Sequence, residues 1–186
     1  MERQKLIDAV RALGAQKAAI VPVSQVTFAR EFRALCEQNA CGRYGRSWMC
    51  PPHVGEIGAL IARAQSYRWM LVYQTISRLE DSFDIEGMLE AGRRMNELCC
   101  RVRERLALPG ALYLGAGGCR VCEECAYPEP CRAPERACAS LEAYGVSVSQ
   151  LAELAGMRYI NGENTVTYFG AVLFSRSDRA PGEGAV

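Results

Sequence analysis

Tyr67-Arg68-Trp69-Met70-Leu71-Val72-Tyr73-Gln74-Thr75-Ile76 is the stretch on which the fold turns. It is rich in aromatic and branched side chains, which sit well on a pleated surface, so it predicts a strand. Helical patterns flank it. Upstream, Glu56 to Gln65 turns Ile57, Leu60 and Ile61 inward. Downstream, a long helix is expected from about Asp84 to Leu106, with Met88, Met95, Cys99, Val102 and Leu106 on one side. Pro109-Gly110 then breaks the chain, and Ala111 to Gly115 reads as a short strand.

Further out the alternation continues. Residues 3–13 predict a helix with Leu6, Ile7, Val10 and Leu13 on one stripe, closed by Gly14. Ala18 to Val23 reads as a buried strand and Phe28 to Gln38 as a helix. Past Pro134, where a short helical turn could start, Ser149 is the expected N-cap of a helix to Leu154. Met157 to Ile160 and Thr165 to Phe174 are expected strands joined around Asn161-Gly162. Interleaved helices and strands predict an α/β or α+β fold. The expectation is a single-domain sandwich over residues 1–175, with a mixed β-sheet flanked by helices and cysteine-rich loops at one end. Residues 176–186 have little to bury and are expected to be a disordered tail.

The 186 residues are enough for a real core, and the net charge of +1 gives no argument for nucleic acid or an anionic membrane as partner. No apolar run is long enough to cross a bilayer. Met1-Glu2-Arg3-Gln4-Lys5 leads into an amphipathic pattern and not a signal peptide, so a cytoplasmic protein is expected. Ten cysteines in a reducing compartment point to metal or redox chemistry over disulfides.

Four of them, Cys119, Cys122, Cys125 and Cys131, are spaced C-x2-C-x2-C-x5-C. Two intervening residues let the chain curl so that successive thiolates converge, a device shared by iron–sulfur clusters and structural zinc. The first three spacings are those of the bacterial ferredoxin run; the fourth is longer, with proline three places later at Pro134. Three thiolates on one short loop suit three corners of a cubane, whereas zinc more often takes two ligands from each of two knuckles. Glycines ahead of Cys119 would let backbone N–H groups approach the sulfurs. Zinc stays as the alternative.

A second group, Cys36, Cys41 and Cys50, precedes Pro51-Pro52, which forbids helix there. By spacing alone, three buried or idle thiols are the alternative reading. Against that, Cys41 and Cys50 lie in a Gly/Arg-rich loop, and no acid falls between Glu37 and Glu56 to oppose Arg43 and Arg46. The quartet would complete one [4Fe–4S] cluster. The trio makes three ligands for a second, so either an eighth ligand comes from elsewhere or one iron keeps an open position. An open iron would act as a Lewis acid and turn an electron carrier into an enzyme. Cys99 reads as a small core residue, Cys100 has no better claim, and Cys138 is a spare ligand candidate. His53 is expected to hydrogen-bond backbone or support the site from behind, rather than ligate. Trp48 and Tyr44 read as packing residues. Gly115-x-Gly117-Gly118 lacks the spacing of a dinucleotide fingerprint, because Arg120 stands where the last glycine belongs.

Both groups together resemble the DUF2284 family of predicted metal-binding proteins, found mainly in anaerobes. The resemblance is carried by Cys36, by Cys41-Gly42-Arg43-Tyr44-Gly45-Arg46-Ser47-Trp48-Met49-Cys50-Pro51-Pro52, by Cys119 to Pro134, and by Ser140 to Val148. It implies metal binding through Cys36, Cys41, Cys50, Cys119, Cys122, Cys125 and Cys131, and leaves Cys99, Cys100 and Cys138 outside. It implies no particular reaction. The expectation is an oxygen-sensitive protein with one or two [4Fe–4S] clusters, serving electron transfer or a redox partner protein. The alternatives are an enzyme with an open iron and a zinc-stabilised interaction module.

Overall fold

The fold was described from a computed structural model covering residues 3–39 and 41–175; the tail expected at 176–186 lies outside them. The elements are α1 (Arg3–Ala12), β1 (Lys17–Pro22), α2 (Glu31–Glu37), α3 (Ile57–Gln65), β2 (Trp69–Arg78), α4 (Ile85–Leu106), β3 (Leu112–Gly115), β4 (Ala139–Ser140), α5 (Val148–Leu154) and β5 (Thr165–Phe174). The class is α+β, built on one five-stranded mixed sheet of order β1-β2-β5-β3-β4. β2 lies between β1 and β5, antiparallel to both; only β3 and β4 run parallel.

Each face of the sheet carries its own core, because successive side chains of a strand point to opposite sides. Leu71, Tyr73, Tyr113, Val172 and Phe174 face α1 and α4, meeting Leu6, Val10, Met95, Leu98, Cys99, Val102 and Leu106. Met70, Val72, Leu112, Leu114, Ala171 and Leu173 face the other way, onto α3, α5 and the one-turn helix Glu142–Tyr144. The α4 stripe recurs at helical spacing. Asp84 caps that helix by accepting the Gly87 N–H at 2.8 Å. Glu56 caps α3 by accepting from Ala59 at 3.1 Å.

Several expectations are corrected. Met157 to Ile160 is not a strand. The Met157 N–H is committed to Ala152 O at 2.8 Å, closing the end of α5, and Met157 is buried. Tyr159 then stacks on Phe169 while Ile160 is 76% exposed, so the apolar residues here do not alternate between faces. The N-cap position of α5 is Ser147, not Ser149, and its side chain makes no capping bond; its N–H goes to Thr27 O. α2 starts at Glu31, because Phe28 is held in a bridge to Val146. β4, two residues long, was not foreseen: no periodicity can be read from two positions.

Candidate metal centre

The strand pair β3–β4 sets the geometry of the site. Leu114 is in register with Ala139 and Gly115 with Ser140, and the Leu141 N–H bonds Gly115 O at 3.1 Å. The chain between the two strands is the quartet loop. It docks on α4, where Asn96 accepts the Arg120 N–H at 3.1 Å. Asn96 is buried and also donates to Gly92 O, so both ends of its amide are used.

Cys119, Cys122, Cys125 and Cys131 all border one cavity, walled further by Trp48, Met49 and Ala137. The space between them is narrow, about 20 Å³. Cys36, Cys41 and Cys50 border a second cavity of about 200 Å³, with Arg43, Met49 and Glu142 among its walls. Met49 is common to both. Segments far apart in sequence therefore deliver two thiol groups to two adjoining spaces. Among the described residues, no three His, Cys, Asp or Glu side chains crowd closely enough to hold a single metal ion.

Ser47 joins the two groups. Its buried hydroxyl, which accepts the Met49 N–H at 3.3 Å, acts on the thiols of both Cys50 and Cys125 and favours their ionised forms. The Cys119 N–H also points at Cys50. Gly118 permits that approach, since a Cβ there would stand 3.5 Å from Cys50 Sγ and 3.1 Å from Arg43 Cγ. A side chain at 118 would press on Arg43 and only touch Cys50.

Charge follows the same grouping. Burial pushes the Cys36 thiol up, helped by the Glu142 charge and by Cys41 and Cys50, against Arg33. Burial also raises Cys50, with Cys41 adding to the rise, while the Ser47 bond, Arg43 and the Cys119 N–H oppose it. At Cys125 burial pushes upward too, but N–H donors from Tyr127 and Trp48, the Ser47 hydroxyl and Arg43 outweigh it, and the thiol is lowered. Glu142 is raised by burial, partly offset by its own backbone and the Ser140 hydroxyl. Buried thiols that resist ionisation together release protons when a cation arrives, so metal affinity here should rise with pH. Arg43 stands where an unopposed cation was expected; Arg46 is exposed and lines neither cavity.

An aromatic clamp holds the two cysteine segments together. His53 stacks on Tyr127 at 4.2 Å, and Trp48 meets Tyr127 edge-on at 5.2 Å. The Trp48 indole N–H donates to Glu129 O at 2.8 Å. His53 lines neither cavity. Trp48→Phe keeps a ring but removes the donor. It should cost about 0.5–1.5 kcal/mol, read from the urea midpoint; an unchanged midpoint would mean the clamp bears no load.

The remaining cysteines lie behind the site. The Tyr73 hydroxyl donates to Cys99 Sγ at 3.2 Å, and Cys138 Sγ donates to Tyr113 O at 3.2 Å. A Cβ on Gly115 would sit 3.3 Å from Cys99 Sγ, a tight approach, and 3.5 Å from Cys138 Sγ, an ordinary contact, so β3 runs close between those thiols. Cys100 is buried on α4, and none of the three borders either cavity.

The family model for predicted metal-binding proteins, DUF2284, matches residues 19–174. The chain belongs to that family. The match takes in both thiol groups and nearly all of the sheet. No curated protein and no solved structure matches this DUF2284 chain. Among its described residues, no helix is long and apolar enough to cross a membrane. Sequence reading gave no role to Ser47, Asn96 or Glu142; the glycines before Cys119, Gly118 among them, it did pick out.

Proposed function

We propose that this DUF2284 protein carries two adjoining iron–sulfur clusters, one held by Cys119, Cys122, Cys125 and Cys131 and one by Cys36, Cys41 and Cys50. In this reading it serves one-electron transfer to a redox partner in the cytoplasm. The observation that carries it is the grouping of the seven thiols around two spaces that share Met49 and are bridged by Ser47. When bound, such clusters supply reversible one-electron redox chemistry. Two of them side by side form a relay. The chain's own part is to ring each with thiolates, aim the N–H groups of Cys119, Trp48 and Tyr127 at the sulfurs, and set Arg43 beside them. Donors and cations stabilise added negative charge and so raise the potential.

Spacing supports clusters over zinc. Tetrahedral zinc with bonds near 2.3 Å pulls its sulfurs to about 3.8 Å from each other. A cubane puts each thiolate on its own iron and spreads them further, which suits three thiolates on one short C-x2-C-x2-C loop and a fourth beyond it. A second reading, zinc in the quartet, is favoured by the narrow space there; a cluster would have to spread that loop.

The test is iron, sulfide and zinc per chain on protein never exposed to air. Iron and sulfide in equal amounts, near those of two cubanes, are expected. One zinc per chain without sulfide would overturn the reading.

A further inference from the structure

Three cysteines leave one position of a cubane without a protein ligand, and the cavity they line contains a carboxylate that the sequence pattern does not advertise. Glu142 borders that space with Cys36, Cys41 and Cys50. It is the only acid among the wall residues. Among the described residues its side chain has no ion-pair partner; its carboxyl meets the Ser140 hydroxyl and its own backbone.

The position is built, not incidental. Ser140 ends β4 in register with Gly115, and its hydroxyl oxygen accepts the Ala143 N–H at 3.1 Å. Glu142 opens the one-turn helix that follows, which packs against α2, the helix that carries Cys36. Gly145 ends the turn at φ +70°, and a Cβ there would come within 2.8 Å of Ala29 O. The carboxylate is thus tied to the sheet on one side and to the Cys36 helix on the other. Leu35, Met49, Pro51 and Ala143 supply apolar wall, and Arg43 is the cation present. Acting as ligands, the three cysteines and the glutamate would carry four negative charges, more than one arginine offsets. A metal centre provides it, and a carboxylate oxygen is an accepted ligand where iron is held by mixed donors.

We propose that Glu142 is the fourth protein ligand of the upstream centre, making a three-cysteine, one-glutamate site. This rests on the reading that the trio holds a cluster. A carboxylate binds iron more weakly than a thiolate, so the iron on Glu142 is the one that exchanges its ligand or leaves first. The upstream cluster is then the reactive member of the pair and the downstream one the electron store.

The test uses the whole chain, loaded anaerobically with ⁵⁷Fe, as wild type and as Glu142→Cys, Glu142→Ala and Cys36→Ser. Circular dichroism identifies any variant that fails to fold. In wild type, Mössbauer spectra should show one iron whose isomer shift is higher than that of the thiolate-bound irons. Mild oxidation with ferricyanide should remove that iron and leave a three-iron EPR signal. Glu142→Cys should abolish both signatures while total iron stays constant. Glu142→Ala should lose the same iron more readily. If both Glu142 variants keep the distinct iron and its lability, the carboxylate is not a ligand, while the trio's cluster stands. If Cys36→Ser leaves iron and sulfide unchanged, the trio holds no cluster and both readings fall.

Discussion

Cys119→Ser and Cys122→Ser should each strip the downstream centre, lowering iron and sulfide per chain by about half. A serine oxygen is a poor substitute for a thiolate on iron, and these two positions lie on the shortest spacings of the loop, where no neighbour can replace them. Both line the quartet cavity. The upstream centre should survive, because its three thiols come from another segment. It should not be untouched. The Cys119 N–H favours the ionised form of Cys50, and Gly118 brings the loop alongside Cys50 and Arg43. The EPR signal of the remaining cluster should therefore shift in both variants. Unchanged iron in both would remove the quartet from the metal site. Loss of all iron would mean that the two centres form only together.

Gly170→Ala should destabilise the fold by about 1–3 kcal/mol, a fall in Tm of about 2–4 °C per kcal/mol for a chain of this size. Gly170 pairs with Tyr73 across β2 and β5. A Cβ on it would stand 2.6 Å from Tyr73 Cζ and 2.7 Å from Met95 Cε. The Met95 methyl ends a flexible side chain and can shift, but the rigid Tyr73 ring presents two atoms to the new Cβ. Tyr73 is 1% exposed and Met95 fully buried, and the tyrosine hydroxyl is tied to Cys99. Trimming the ring should relieve the clash, so the loss in Tyr73→Val/Gly170→Ala should be smaller than the sum of the single losses. A Gly170→Ala protein that melts with wild type would mean that the ring does not cover β5 as described. Because Cys99 abuts Gly115, where the quartet loop leaves the sheet, the same variant should load metal less well above room temperature.

Much of this was open to reading in the chain itself. α4 was legible because its stripe runs over many turns and Asp84 is a capping residue at its start. β2 was legible because aromatic and branched residues crowd its first eight positions, interrupted only by Met70 and Gln74. The strand expected at Met157 to Ile160 failed for the opposite reason. Four residues are too few for periodicity to outvote the turn that ends α5, and Ile160 is left in solvent. The cysteines were legible as two groups because their spacing is local chemistry. Glu142, Ser47 and Asn96 were not, because a single acid, serine or asparagine carries no pattern.

The amino-acid sequence by itself determined the donors: the thiols, their order, the glycines before Cys119 and the apolar stripes that build a sheet covered on two sides. Those properties depend on residues close together along the chain. Which donors meet was decided only in three dimensions. The two-residue strand β4 returns the chain beside β3, and that one pairing both launches the quartet loop and swings Glu142 to the cysteines of α2 and its following loop. Such long-range placement follows from how the sheet is ordered and packed, which no short window of residues contains.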